Sequence, residues 1–289
     1  QPMQYFYEYS GRSEQVANRA RQSAALYGER GAVYQQRESG AIYNLYAGRA
    51  IPAFAYREMC NYYLNYDFSI VLTLLLCLYG IIGTFVSERE TQMDMLLLVS
   101  SNGGRKTTLA KILAATLFLL LTSLWFSLLD LIGFAASFQT LEGLALPVFA
   151  IPNFAEASVN LSIFQYVLLS AALKCAGAWV IGMLWLLVSM FWKNALLPFV
   201  INFALCMALT VSGAACAYSN FFWTKVLNPY SLLTNRILLG KTEFVNLGGF
   251  PVLTWQAAVW IALTAGFVLV AAIYFLSAEN CHRCVGRAK

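Results

Sequence analysis

The sequence predicts an all-α, polytopic transmembrane helical bundle with a small extracellular region, and three observations carry that prediction. The 289 residues are 60% hydrophobic and only 11% charged. A soluble domain usually carries about 25% charged and 45–50% apolar residues. Five continuous apolar stretches are each long enough to cross a hydrocarbon core of about 30 Å, which takes about 20 helical residues. None shows the alternation of a membrane β-barrel strand. A spanning segment must also satisfy its own backbone hydrogen bonds in lipid, which selects helices.

Residues 1–66 stand apart. They hold Arg12, Arg19, Arg21, Arg30, Arg37, Arg49 and Arg57, many tyrosines and no long apolar run. Gly11–Arg30 is polar with scattered Ala, Val and Leu, compatible with a helix, and the region reads as a small water-facing domain without a signal-peptide core. The remainder, residues 67–289, holds the expected spans: Phe68–Val86, Leu109–Phe138, Leu161–Trp192, Ala195–Ala217 and Trp255–Ser277. The second and third exceed the hydrocarbon thickness and must tilt or protrude.

Loop charges set the orientation. Arg89, Arg105, Lys106 and Lys111 flank the first link, Lys193 lies between spans three and four, and Arg283, Arg287 and Lys289 close the tail. Residues 139–160 contain no Lys or Arg, and residues 218–254 hold only Lys225, Arg236 and Lys241. The positive-inside rule therefore places the first set in the cytoplasm. It makes the chain a multi-pass plasma-membrane protein with residues 1–66 outside and the C-terminus inside. Nothing in the sequence would translocate residues 1–66 efficiently, and the chain begins with Gln1. The expectation is an upstream transmembrane helix, giving six spans in the full subunit.

The most informative stretch is Ser87–Lys111. Ser87 followed by Glu90 fits a capping box, a helix-start signal. Met93, Leu96 and Leu97 share one face by i, i+3, i+4 spacing, and Glu90 and Asp94 share another. Gly103 and Gly104 stop the helix. These features predict a short amphipathic helix near residues 88–101 at the membrane surface. On periodicity alone it is a connector or a handle for a partner.

The run Phe85-Val-Ser-Glu-Arg-Glu, then Met95-Leu-Leu-Leu-Val-Ser-Ser-Asn-Gly-Gly-Arg, then Leu109-Ala-Lys111-Ile-Leu resembles the permease subunits of type 2 ABC transporters. An Asn228-Pro229-Tyr230 segment before the last span fits the same pattern. The resemblance implies an ATP-driven exporter permease whose cytoplasmic helix is a coupling helix docked on a separate ABC ATPase. Glu88, Arg89, Glu90, Met93, Asp94, Leu96 and Leu97 would form that contact. It also implies a second permease copy or paralogue as dimer partner, and a re-entrant helix pair near the exit. ATP and Mg would sit on the ATPase, with no cofactor bound by this chain.

Gly103-Gly104-Arg105-Lys106-Thr107-Thr108 is not a phosphate-binding loop, because Arg105 separates Gly104 from Lys106 and no strand precedes it. Inside the spans, Asp130 and Lys174 are candidates either to line the path or to pair structurally. Cys281-His282-Arg283-Cys284 offers too few ligands for a closed zinc site, so no metal is expected. The seven cysteines are odd in number and irregular in spacing, which implies no disulfide framework. Asn160-Leu161-Ser162 matches a glycosylation acceptor at a membrane edge. No basic face suits nucleic acid. A polytopic membrane enzyme finds no catalytic motif here, as neither H-E-x-x-H nor G-x-S-x-G occurs. An ion-gradient transporter would favour internal repeats that the sequence lacks.

Overall fold

In the computed structural model, which describes residues 2–52, 58–93, 105–139, 141, 143–218 and 222–287, each apolar stretch is a helix. The chain opens with α1 (Pro2–Glu29) and α2 (Val33–Tyr46), followed by the short α3 (Glu58–Leu64). The long apolar helices are α4 (Phe68–Glu90), α5 (Arg105–Phe138), α6 (Ile163–Ser189) and α7 (Leu196–Tyr218). Three short helices follow: α8 (Phe222–Leu227), α9 (Tyr230–Thr234) and α10 (Arg236–Leu239). A hairpin of β1 (Phe244–Leu247) and β2 (Phe250–Leu253) leads into α11 (Thr254–Arg287).

Five helical stretches among the described residues are long and apolar enough to cross a membrane: Glu58–Glu90, Lys106–Phe138, Ile163–Ser189, Leu196–Ala215 and Thr254–Ser277. Their faces explain the composition. On α4, Ile70, Leu74, Cys77, Leu78, Ile81, Ile82 and Phe85 are buried at helical spacing. The opposite face carries Val71, Leu72, Leu75, Leu76 and Tyr79, all exposed and all apolar or aromatic. A water-soluble helix would put polar groups there. On α5, Leu109, Leu113, Leu117, Leu121, Leu124 and Leu128 form a similar exposed row. So much exposed hydrocarbon calls for lipid or a partner as solvent. The protein is a helical membrane protein.

The chain forms two compact units. The first comprises Gln1–Tyr66, Asp130–Ser170 and Asn235–Ala258. Here α1 and α2 form an antiparallel pair, with Gly31 turning the chain at φ +68°. Tyr5 Oη donates to Phe149 O (2.7 Å) and Tyr9 Oη to Ala155 O (3.1 Å), fastening α1 to two 3₁₀ turns at Val148–Ala150 and Pro152–Phe154. Burial raises both phenols above their ordinary value. Arg37 Nη1 donates to Gly249 O (3.2 Å), and its guanidinium lies 4.3 Å from the Phe250 ring centroid, tying α2 to the hairpin.

Arg49 is the keystone of this unit. It is only 4% exposed. Its Nε donates to Asn160 Oδ1 (2.7 Å) and its Nη2 to Ala157 O (2.8 Å). The guanidinium lies 4.2 Å from the Tyr46 ring centroid and 5.2 Å from that of Phe149. Nη1 has no hydrogen-bond partner. Asn160 Nδ2 also donates to Leu45 O (2.8 Å), so both ends of the acceptor-pattern amide are engaged inside the fold.

The second unit comprises Asp67–Leu129, Ala171–Thr234 and Val259–Lys289. Its core joins the inner face of α4 to Ile112, Ala115 and Leu119 of α5, to Ala178, Ile181, Trp185 and Leu186 of α6, and to Ile273 of α11. Tyr230 and Leu233 of α9 belong to the same core.

One expectation about helix starts is corrected. Ser87 does not begin a helix. It lies within α4, and its hydroxyl donates back to Gly83 O (2.6 Å), because the apolar helix continues unbroken past it. α4 stops at Thr91, and Gln92 turns into the left-handed region at φ +56°. Glu88, Arg89 and Glu90 are therefore the last turn of a spanning helix and not the first turn of a surface one.

Candidate functional site

Glu88, Arg89 and Glu90 sit where α4 ends; Glu88 has its partner on α5, and Arg89 and Glu90 have theirs in the 190–195 link of the second unit. Glu88 forms an ion pair with Lys111 of α5, with the two side chains 28% and 13% exposed. The Lys111 ammonium also lies 4.4 Å from the Phe85 ring centroid. Arg89 Nη1 donates to Trp192 O (3.2 Å), just beyond the last residue of α6. Glu90 Oε1 accepts from the backbone N–H of Ala195 (2.8 Å), just before the first residue of α7.

The charge signs have a physical logic. Carbonyls at a helix C-terminus favour a cation, and N–H groups at an N-terminus favour an anion. Arg89 meets the C-terminal end of α6, and Glu90 meets the N-terminal end of α7. Three consecutive side chains thus tie α4 to α5 and to both sides of the link 190–195. The exposed part of that link carries Phe191, 62% exposed, and Lys193.

Met93 is 53% exposed. Asp94, Leu96 and Leu97, with the Gly103-Gly104 stop, lie outside the described residues. α5 begins at Arg105. Asp130 on α5 and Lys174 on α6 are both half-buried, in the first and second unit respectively. The Asp130 carboxylate interacts electrostatically with Tyr63. The Cys281-His282-Arg283-Cys284 run has a helical backbone at the end of α11, and its side chains lie outside the described set.

A second polar constellation, in the Tyr218–Pro251 segment, is denser than its sequence suggests. Asn228 Nδ2 donates to Leu209 O and to Ser212 Oγ (both 3.0 Å), and its Oδ1 accepts from Tyr230 N (3.0 Å). Ser231 Oγ donates to Lys225 O or Asn228 O (2.6 Å each). Tyr230, Ser231, Leu232 and Leu233 are all buried. Two glycines admit the segment. A Cβ on Gly177 would stand 3.0 Å from Pro229 O, and one on Gly213 would stand 2.6 Å from Tyr230 Cδ1. The short helix α9 therefore folds inward against α6 and α7, while α8 keeps Trp223 and Leu227 exposed.

No protein-family model matches the chain, and no curated protein matches it significantly.

Proposed function

We propose that the chain is the membrane-spanning permease subunit of an ATP-driven ABC exporter, working with a separate cytoplasmic ATPase and a second permease copy or paralogue. The observation that carries this reading is the junction at the end of α4. The stretch resembling a coupling helix, near residues 88–101, opens on a triad that ends α4 and grips α5 and the α6–α7 link. A lever needs a stiff base joined to the elements it moves. Glu88, Arg89 and Glu90 form the base. Met93, Asp94, Leu96 and Leu97 then present the docking surface to the ATPase.

Two further observations support the reading. Residues 1–66, 139–160 and 218–254 are the segments that loop charge assigns to the outside, and the first unit draws on all three: Gln1–Tyr66, Asp130–Ser170 and Asn235–Ala258. The inward-folded α9, whose Tyr230 and Leu233 belong to the core, is compatible with a re-entrant element near the exit of the path. In this reading ATP-driven closure of the ATPases pushes the first cytoplasmic link, and the spans rock between inward-open and outward-open states.

The test is whether a neighbouring reading frame encodes a soluble ABC ATPase and whether that ATPase co-purifies with the tagged chain. Wild-type chain should retain the ATPase, and Leu96→Asp with Leu97→Asp should lose it while the permease remains folded. Equal retention by the variant rules out docking on this segment.

A further inference from the structure

The α6–α7 link has no place in the expected docking surface, yet two of the three junction residues are spent on it. Arg89 holds the carbonyl of Trp192, and Glu90 holds the N–H of Ala195. Each charge has the sign its helix end favours. Glu88 meanwhile holds Lys111, whose own position is fixed by the Phe85 ring. A purely external contact surface would leave these side chains free for a partner. Here all three are engaged within the second unit, and the chain breaks at Thr91–Gln92 immediately after them.

We propose that Glu88, Arg89 and Glu90 are positioning residues that form a clasp, transmitting movement of the first link to α5 through Lys111 and to α6 and α7 through the 190–195 link. Glu90 and Arg89 act on the backbone ends of two helices, so a displacement of the α4 terminus moves α6 and α7 as rigid rods. Glu88 and Lys111 keep α5 in step. The 190–195 link is thereby a second moving element, and Lys193 on it is exposed and reports its position. This rests on the permease reading, since the ATPase supplies the push.

The experiment uses the full chain with its ATPase in nanodiscs. Lys193→Cys, with Cys281→Ser and Cys284→Ser to silence the tail thiols, is labelled with a charged maleimide with and without ATP and vanadate. In the otherwise wild-type clasp, ATP should change the labelling rate by about fivefold or more, the usual scale of an allosteric coupling. Glu90→Ala and Glu88→Gln should bind the ATPase as the parent does and lose most of that change. The exchange Glu88→Lys with Lys111→Glu should restore it. The exchange Arg89→Glu with Glu90→Arg, which keeps composition but opposes both helix ends, should not.

An unchanged ATP response in Glu90→Ala and Glu88→Gln overturns the clasp and leaves the permease reading standing. A wild-type chain that binds no ATPase overturns the permease reading, and the transmitting role with it. Loss of the response together with loss of ATPase binding in folded Glu90→Ala assigns Glu90 to the docking surface and also overturns the clasp.

Discussion

Replacing Arg49 with Met keeps the apolar stem and approximate volume of the side chain but removes its charge and donors. The structure sets the cost. Ala157 is fully buried, so its carbonyl loses a charge-assisted bond and keeps only a long one from Thr242 Oγ1 (3.4 Å), which costs about 1–3 kcal/mol. Asn160 is exposed and rehydrates, so its loss is smaller. Leaving the Tyr46 and Phe149 rings removes roughly 1 kcal/mol more. Part is recovered, because the sealed Nη1 and the buried charge no longer have to be desolvated. The net is a destabilisation of about 2–3 kcal/mol, which corresponds to roughly 30- to 150-fold faster opening. Native-state hydrogen exchange of the α1 and α2 amides reads this directly. Arg49→Lys should fall between, since one ammonium cannot serve both acceptors in fork geometry. Exchange accelerated by less than about threefold in Arg49→Met would refute the keystone role.

Other consequences follow from the same geometry. Burial raises the Tyr5 and Tyr9 phenols above the ordinary value of 10.0, so the folded state holds its protons more tightly than the unfolded one. Stability of the first unit is therefore intact below that pH and falls as pH climbs through it. Circular dichroism alongside tyrosinate absorbance should show unfolding coupled to ionisation, and Tyr5→Phe should weaken the alkaline loss while costing about 1 kcal/mol at neutral pH. Gly213→Val forces side-chain atoms into Tyr230 and should lower stability in detergent by about 1–3 kcal/mol, read as a drop in melting temperature. Asn228→Ala removes three bonds at once, while Ser212 Oγ still donates to the Leu209 carbonyl (2.9 Å), and should cost about 1–3 kcal/mol in the same assay. Asn228→Asp, which keeps only the acceptor for Tyr230 N–H, should not rescue it.

Run length made the spans legible, because lipid demands about 20 apolar residues and little else. The expected start at Phe68 and end at Phe138 coincide with helix ends in the structure. Capping signals were less safe. Ser87–Glu90 has the pattern but lies inside α4, where propagation of an apolar helix outweighs a cap. Ser162–Gln165 carries the same pattern and is a real box, with Gln165 N–H donating to Ser162 Oγ (3.3 Å) and Ser162 N–H to Gln165 Oε1 (3.1 Å). The difference is what precedes the serine: a spanning helix in one case, an extended bridge between Pro147 and Ser162 in the other. The hairpin was missed although Gly248-Gly249 announces it, since both glycines take positive φ in a two-residue turn. The keystone role of Arg49 was not legible at all. Its hydrogen-bond acceptors lie over 100 positions away, and no local periodicity encodes them. The clasp was half legible: Glu88, Arg89 and Glu90 stood out, but the link they hold did not.

The most direct measurement of the central claim is ATP hydrolysis by a purified ABC ATPase from a neighbouring reading frame, alone and with this chain reconstituted in lipid. A permease that couples to it should bind stoichiometrically and change its turnover, and Leu96→Asp with Leu97→Asp should abolish that change. Turnover that is identical with and without the wild-type chain, over a concentration range that saturates any binding, would contradict the account.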